Sequence, residues 1–331
     1  MTYFVGIDVG GSKSAAALID ETGSTLARDW AEHADGYADA LVDVMLSSAH
    51  RLLVKASLRP DEVAAFGVAV AGLVSSDRST LVRAPTLGET RLDLGSRSAE
   101  RLGRPVVVIN DANATLYGHA LHTAHGGAPL GGETHVSVLF TLGTGIGGSI
   151  MLGETIVVGE HGFASELGHV VVDFADQRLC LCGGKGCVEQ FASGRGMAEL
   201  AAASPPPPPS RTILLSLGAA EPYTARDIIA AAREGDRWAR ELLRYGGSML
   251  GRAIATMCIT LDPATVILAG SFGHAAAEWL LPAALEELRS RWSYAAERPL
   301  PQLRSDAIGP YAAATGAALF ARAATVSGDR R

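Results

Sequence analysis

Two segments of this chain repeat the same plan, and the repeat limits the possible folds more than any other feature. Residues 2–31 contain an apolar strand, a Gly-Gly turn, a second strand, a Glu-Thr-Gly turn and a third strand. Residues 135–159 follow the same order, with a glycine-rich turn that carries hydroxyl side chains and a later Leu-Gly-Glu turn. A repeated unit of this kind predicts two similar domains, each of which opens with a β-hairpin.

The glycine turn of each hairpin is suited to binding phosphate. Because glycine has no Cβ atom, its backbone N–H groups can approach phosphate oxygens closely, and nearby hydroxyl groups can add donors. The residues concerned are Gly10, Gly11 and Ser12 in the first hairpin and Thr141, Gly143, Thr144 and Gly145 in the second. A plain hairpin explains either turn alone. Two such turns at the same place in a repeat favour a phosphate site.

Asp8 ends the first predicted strand, directly before the first glycine turn. A carboxylate there would face phosphate only with a Mg²⁺ ion between them, and Lys13 could supply a further positive charge. Two domains whose glycine turns face each other resemble the actin and hexokinase superfamily, which holds a nucleotide between them. The resemblance implies an α/β fold of the actin/hexokinase-like (ribonuclease H-like) class, with duplicated domains and a nucleotide cleft between them.

Three of the four cysteines lie close together in residues 166–189, ELGHVVVDFADQRLCLCGGKGCVE. Cys180, Cys182 and Cys187 follow His169, and three thiolates with one imidazole form a closed tetrahedral zinc site. Such a site would shape the loop and leave no position for activating water. A disulfide with a spare thiol is the alternative. It is disfavoured because Cys180 and Cys182 are too close for an easy bridge and cytosolic thiols normally stay reduced.

The segment RPVVVINDANATLYGHA, residues 104–120, predicts a buried parallel strand followed by a helix. Asn110 and Asp111 stand at the junction, which is where α/β proteins place their ligands. Asn-Asp before a helix is also a routine N-cap, and that alternative carries no catalytic meaning.

Several of these motifs together resemble the ROK family of bacterial sugar kinases and repressors, over nearly the whole chain. ELGH and CLCGGKGCVE resemble the family's E-x-G-H and C-x-C-G-x-x-G-C-x-E. DVGGSK resembles D-x-G-G-T-K, LGTGIGGS resembles L-G-T-G-x-G-G-G, and NDAN is the family's own pattern. The line of motifs from DVGGSK to CVEQFASGRG is similar to that of actinobacterial ATP-dependent glucokinases.

The resemblance assigns roles by position. It implies that Asp111 is the catalytic base, which accepts the proton of a substrate hydroxyl during phosphoryl transfer. The implied sugar contacts are Gly72, Thr86, Asn110, Asp111, Glu166, His169 and Glu189, with His169 also a zinc ligand. The implied ATP contacts are Asp8, Gly10, Gly11, Ser12, Lys13, Thr141, Gly143, Thr144, Gly145, Gly270 and Ser271.

Thr86 departs from the family, which has A-P-N where this chain has A-P-T. A hydroxyl there replaces an amide that both donates and accepts hydrogen bonds, so the sugar stays open. We expect an ATP-dependent kinase of a primary hydroxyl of glucose or a glucose-like polyol, with structural Zn²⁺ and with Mg²⁺ bound to ATP. The alternatives are a kinase of a C7 cyclitol from a natural-product pathway, a kinase of an N-acetylhexosamine, and a sugar-binding ROK regulator. The regulator is disfavoured because family repressors carry a helix-turn-helix domain before the aspartate motif, and only seven residues precede Asp8.

Composition sets the remaining expectations. The 331 residues allow a small domain over residues 1–113, completed by a helix near 310–331, and a large domain over 114–309 with the zinc loop. A net charge of −7 argues against a nucleic-acid partner. No apolar run approaches the ~20 residues that cross a bilayer, so we expect a cytoplasmic protein with no membrane partner. Its partners would be a sugar or cyclitol, ATP, and copies of itself in a dimer or tetramer.

Overall fold

A computed structural model describes residues 1–10, 13–33, 38–84, 89–124, 135–292, 296–305 and 309–326. The chain divides into two compact units. The first unit comprises Met1–Thr134, Ile150–Ser165 and Ile308–Arg331, and the second comprises His135–Ser149 and Glu166–Ala307. The first unit thus extends past residue 113, where the sequence led us to expect a boundary, because the helix that follows packs within this unit.

The elements of the first part of the chain are β1 (Tyr3–Val9), β2 (Lys13–Asp20), β3 (Thr25–Glu32), α1 (Ala38–Ala56), β4 (Val63–Val70), β5 (Leu73–Val74), β6 (Thr80–Ala84), β7 (Glu89–Asp93), α2 (Leu94–Leu102), β8 (Val106–Asn110) and α3 (Asp111–Ala124). The remaining elements are β9 (Val136–Leu142), β10 (Ile146–Leu152), β11 (Thr155–Ile156), α4 (Glu189–Ala192), α5 (Gly194–Ala203), α6 (Pro208–Ser216), α7 (Ala225–Arg233), α8 (Arg237–Leu261), β12 (Thr265–Ala269), α9 (Ser271–Ser290), β13 (Gln302–Ser305) and α10 (Ala312–Val326).

The first five-stranded sheet has the order β3-β2-β1-β4-β8. Strands β1 and β2 form the antiparallel hairpin, while β4 runs parallel to both β1 and β8. The parallel strands are almost wholly buried and apolar, as expected where helices cover both faces of a sheet. Strand β3 alternates between half-buried and exposed side chains, which fits an edge strand with one solvated face.

The second five-stranded sheet repeats this topology, with the order β11-β10-β9-β12-β13. Strand β12 runs parallel to β9 and to β13, so it corresponds to β4 of the first sheet. Both sheets therefore consist of a three-strand meander followed by two parallel strands. This is the duplication that the repeated sequence pattern predicted.

The proline-rich segment 205–209 is only partly extended. Pro207 has φ −64° and ψ 162°, as in a polyproline helix, but α6 begins at the next residue. Proline fits the first turn of a helix because its missing N–H would have no partner there. Within the described residues, no helix is long and apolar enough to cross a membrane.

Helix α10 packs on the first sheet at unusually close range, and glycines in the strands make this possible. A Cβ atom placed on Gly67 of β4 would lie 2.0 Å from the carbonyl oxygen of Ala317, and one on Gly6 of β1 would lie 1.9 Å from that of Ala314. Gly316 of the helix approaches the backbone of Ala114 in α3 just as closely. The backbone of α10 therefore sits directly on β1, which carries Asp8, and on β4, and it also closely approaches α3, which begins at Asp111.

We expect the substitution Gly67→Ala to lower the free energy of unfolding by about 2–3 kcal/mol, because the helix must move away from the sheet. Gly309→Ala is the matched control, since a Cβ atom there meets nothing within 4 Å; its effect should stay within about 0.5 kcal/mol. Urea titration of the two variants measures both values. Equal stability of the two variants would contradict the close packing of α10.

Candidate active site

Asp8 and Asp111 lie at the same end of the first sheet, where β1 and β8 reach their carboxyl ends. Asp8 pairs with Ala69 of β4, which pairs with Ile109 of β8, so these three side chains share one row and one face. Asp111 follows Ile109 by two residues as the first residue of α3, and its negative charge acts on Asp8. Burial and the negative charge of Asp111 raise the pKa of Asp8 to about 7. Burial also raises the pKa of Asp111, although the N–H of Ala112 donates to its carboxylate and opposes this effect.

Asn110 caps helix α3, as its alternative interpretation predicted. Its Oδ1 atom accepts from the N–H groups of Ala112 at 2.9 Å and Asn113 at 3.2 Å. Its amide group donates to the carbonyl oxygen of Gly72 at 3.1 Å. Asn110 thus fixes the start of the helix that carries Asp111 and joins it to Gly72, where φ is +132°.

The first glycine turn is only partly described. The N–H of Gly10 donates to the carbonyl oxygen of Lys13 at 2.9 Å, which closes the turn between β1 and β2. The Lys13 ammonium lies 5.7 Å from the centroid of the Trp30 ring on β3. Its charge is therefore placed against an aromatic face in this structure. Three predicted site residues, Gly11, Ser12 and Thr86, lie outside the described residues.

The second glycine turn follows β9 and has donors available. The N–H of Gly143 donates to the carbonyl oxygen of Gly145 at 3.0 Å, whereas within the described parts of the chain the N–H groups of Thr144 and Gly145 donate to no partner. Two adjacent unpaired N–H groups in a tight turn form a concave site for an anion. Thr141, one residue before the end of β9, pairs with Ala269 of β12.

Helix α9 begins where β12 ends, at the same end of the second sheet as the turn that follows β9. Gly270 has φ +92°, and a Cβ atom there would lie 2.4 Å from the carbonyl oxygen of Leu142, the last residue of β9. Only glycine permits the chain to pass this close to the turn. Ser271 is the first residue of the 20-residue helix, whose N-terminus carries partial positive charge. The residues of the second unit that were predicted to bind the nucleotide therefore lie together at the carboxyl ends of β9 and β12.

The four predicted metal ligands lie together in the second unit. The ligand atoms of His169, Cys180, Cys182 and Cys187 are all within 4.8 Å of one another. Nδ1 of His169 is 3.6 Å from Sγ of Cys180, and the sulfurs of Cys182 and Cys187 are 3.7 Å apart. Ligands of a tetrahedral Zn²⁺ ion are separated by about 3.6 Å for N and S and by about 3.8 Å for two sulfurs. The donor set and its spacing thus fit zinc.

The loop that carries these ligands is held by backbone contacts and by one arginine. The N–H of Cys180 donates to the carbonyl oxygen of Gly184 at 2.8 Å, and the N–H of Gly184 donates to Sγ of Cys182 at 3.3 Å. Arg252 of α8 donates to the carbonyl oxygen of Val172 at 3.1 Å. Outside the cluster, Oε2 of Glu166 lies 3.9 Å from Nε2 of His169. A carboxylate near the second nitrogen of a ligating histidine orients the ring.

Both carboxylate oxygens of Glu189 already contact groups of the protein. Its side chain is 10% exposed, and its Oε2 atom accepts from the N–H of Ile146 at 2.8 Å. Its Oε1 atom lies 2.6 Å from Nη2 of Arg195. The sequence pointed to Glu189 but gave Arg195 no role. The available signal was an arginine in the first turn of the helix that follows Glu189.

The sequence matches the ROK family over residues 4–324. The chain belongs to the ROK family. The glucokinase of Streptomyces coelicolor is 33% identical over 97% of this chain and 98% of its own length. The N-acetylmannosamine kinase of Yersinia pseudotuberculosis is 30% identical over 81% of this chain and 83% of its own length. A crystal structure of a ROK family glucokinase from Streptomyces griseus in complex with glucose and AMPPNP has a TM-score of 0.79 at 31% identity, over 97% of this chain and 99% of its own.

These similarities confirm the predicted family and the predicted actin/hexokinase-like fold. They also confirm the predicted enzyme class, a phosphotransferase that acts on a sugar. The motifs fall on both units. The first unit holds the two carboxylates, and the second holds the glycine turn, the start of α9 and the cysteine cluster.

The raised pKa of Asp8 predicts a dependence of stability on pH. Between pH 4 and 7 the unfolded chain loses the Asp8 proton while the folded chain keeps it, so this group's contribution to stability falls as the pH rises through that range. In the absence of Mg²⁺ and nucleotide, Asp8→Asn should raise the free energy of unfolding at pH 8 by about 1–3 kcal/mol, discounted for partial contact with water, and change it little at pH 4.

Asp20→Asn provides a control of opposite sign. Hydrogen bonds from Thr22 and Ser24 lower the pKa of Asp20, so its carboxylate stabilises the folded chain at neutral pH. That substitution should therefore destabilise the protein at pH 8 and not at low pH. Urea titrations at the two pH values separate the cases, and a loss of stability at pH 8 in Asp8→Asn would refute the raised pKa of Asp8.

Proposed function

We propose that this ROK protein transfers the γ-phosphoryl group of ATP to a primary hydroxyl group of glucose. The observation that carries the proposal is the similarity to glucokinases over almost the full length of both chains. The arrangement of each unit supports it. The first unit presents the carboxylates of Asp8 and Asp111 at the carboxyl ends of its strands. The second unit presents the N–H groups of Thr144 and Gly145 and the N-terminus of α9.

Asp111 is the proposed general base. Its backbone is fixed at the start of α3 by the Asn110 cap, and Thr115 donates to its carbonyl oxygen at 2.8 Å. A base works best when its pKa lies near the working pH, and burial moves the pKa of Asp111 in that direction. The proton of the attacking hydroxyl group passes to this carboxylate as the oxygen attacks phosphorus.

Asp8 would hold the Mg²⁺ ion that accompanies ATP, and the ion when bound neutralises phosphate charge. Asp8 is suited to this role because it is partly desolvated and lies near a second carboxylate. A cation would favour the ionised form of Asp8, whose pKa is raised by burial and by the negative charge of Asp111. Lys13 remains a proposed phosphate contact only if its side chain leaves the Trp30 ring.

The second unit would bind the phosphates. The N–H groups of Thr144 and Gly145 and the first turn of α9 after Gly270 supply donors at one sheet edge. The hydroxyl groups of Thr141, Thr144 and Ser271 can add to them. Catalysis of this type needs positioning and charge neutralisation more than covalent help, and these groups provide both.

Zinc would shape the sugar side of the second unit. We propose one Zn²⁺ ion held by His169, Cys180, Cys182 and Cys187, whose spacing fits tetrahedral coordination. Its role would be to fix the loop so that Glu166 and His169 can meet sugar hydroxyl groups. The proposed contact of Glu189 with sugar must share a carboxylate that already binds Ile146 and Arg195.

N-acetylhexosamines form a second candidate substrate class. Similarity to an N-acetylmannosamine kinase supports this class, at 30% identity over 81% of the chain. C7 cyclitols form a third candidate class. The hydroxyl group of Thr86, in place of the family's amide, changes which substrate groups can form a hydrogen bond. One substrate panel decides among the three classes.

We expect the purified protein to consume ATP with glucose, and more slowly or not at all with mannose, fructose, N-acetylmannosamine, N-acetylglucosamine and C7 cyclitols. Asp111→Asn should lower kcat at least ~100-fold while sugar binding persists. Asp43→Asn, a surface change in a pair with Arg101, is the control and should leave kcat unchanged. Near-normal kcat in Asp111→Asn would remove the base assignment, and turnover confined to another class would replace glucose.

The zinc proposal predicts one equivalent of Zn²⁺ per chain. Cys187→Ser should lose most of the bound metal, because a hydroxyl group is a poor substitute for a thiolate. Cys258→Ala is the matched control, since Cys258 is buried in α8 outside the cluster. Metal analysis after dialysis, with release monitored by a colorimetric chelator, gives the stoichiometry. Equal zinc content in the two variants would contradict the four-residue site.

A further inference from the structure

The segment that follows the cysteine cluster holds the second glycine turn on both sides. The N–H of Gly194 donates to the carbonyl oxygen of Gly143 at 2.9 Å, and the N–H of Arg195 donates to that of Thr144 at 3.1 Å. On the other side of the turn, the N–H of Ile146 donates to the carboxylate of Glu189 at 2.8 Å. Three of the four residues from 143 to 146 are therefore fixed by residues 189–195.

The carboxylate of Glu189 also packs directly beneath the turn. A Cβ atom on Gly145 would lie 2.6 Å from Oε2 of Glu189, so the backbone of the turn rests on the carboxylate. Sγ of Cys180 lies 3.9 Å from Oε1 of the same group. Glu189 thus contacts the cysteine cluster at one oxygen and the glycine turn at the other.

A buried carboxylate with these contacts needs a positive partner. Arg195 supplies it, with Nη2 2.6 Å from Oε1 of Glu189, and its own side chain is 26% exposed. A charge-assisted pair this short is strongly oriented. Removal of one member leaves the other charge buried and uncompensated, which is costly and loosens whatever the pair holds. Arg195 also approaches Glu199 at 3.7 Å through Nη1, a longer contact at the surface.

We propose that Arg195 is a positioning residue, which through Glu189 holds the glycine turn in the shape that binds phosphate and links that shape to the cysteine loop. Arg195 acts through the carboxylate and needs no contact with substrate. The functional half of this inference rests on the proposed function, since it takes residues 143–145 as the phosphate site. The structural half, the clamp on the turn, stands on the contacts alone.

Hydrogen exchange tests the clamp without any need for activity. In the zinc-replete full-length protein, Arg195→Gln should exchange amide hydrogens of residues 143–149 at least ~10-fold faster than the original protein. Arg195→Lys should fall between them, because an ammonium group keeps the charge but loses the planar fork. Glu199→Gln is the matched control, since it removes the other acidic neighbour of Arg195, and it should exchange normally. Unchanged exchange of residues 143–149 in Arg195→Gln, or equally faster exchange of β1 and β4, would overturn the clamp.

Binding of AMPPNP with Mg²⁺, followed by calorimetry, tests the consequence. Arg195→Gln should weaken binding at least ~10-fold, and the double variant with Glu189→Gln should bind no more weakly than Glu189→Gln alone. Additive losses would show that Arg195 contacts the nucleotide itself and would overturn action through Glu189. If the original protein bound no AMPPNP, the proposed function would fail, and the exchange experiment would still decide the clamp.

Discussion

The burial of two neighbouring carboxylates, Asp8 and Asp111, at the carboxyl ends of β1 and β8 is the constraint that the first unit has to satisfy. Burial, together with the negative charge of Asp111, raises the pKa of Asp8 to about 7. The core beneath them is correspondingly rigid. Gly6 and Gly67 let α10 lie directly on β1 and β4, so the strand ends cannot move apart easily. A bound cation would offset the cost of these buried carboxylates, and in the proposed function the Mg²⁺ ion that accompanies ATP is that cation.

The second sheet has the same topology as the first, but it carries hydrogen-bond donors where the first sheet carries a carboxylate. Thr141 pairs with Ala269 of β12 as Asp8 pairs with Ala69 of β4, so the two residues hold equivalent places in the duplicated sheets. A hydroxyl group replaces the carboxylate at this place. The turn that follows then offers unpaired N–H groups, and α9 starts beside it with a positive N-terminus. The duplicated fold thus provides one edge suited to a cation and one edge suited to phosphate.

The sequence was most informative where a short motif fixes local geometry. The repeated strands and the cysteine cluster are each encoded by a few adjacent residues, and the structure shows two sheets of the same topology and brings the four predicted metal ligands together. It was least informative where one side chain chooses among distant partners. Asn110 serves as a cap joined to Gly72, and Glu189 binds Ile146 and Arg195, although both were expected to face a sugar. The expected boundary at residue 113 missed that α3 packs within the first unit, since helix packing is a long-range property.

Glu189 connects the cysteine cluster to the second glycine turn, because its carboxylate contacts Cys180 on one side and the N–H of Ile146 on the other. A glycine-rich turn needs contacts that hold its shape, because glycine can adopt many backbone conformations. Here the turn is bonded at Gly143, Thr144 and Ile146 to a segment that begins two residues after Cys187. Fixing the cysteine loop therefore fixes the start of α4, the carboxylate of Glu189 and, through it, the turn. In the proposed arrangement a zinc ion that touches no substrate would set the shape of the turn proposed to bind phosphate, and Arg195 would connect the two through Glu189.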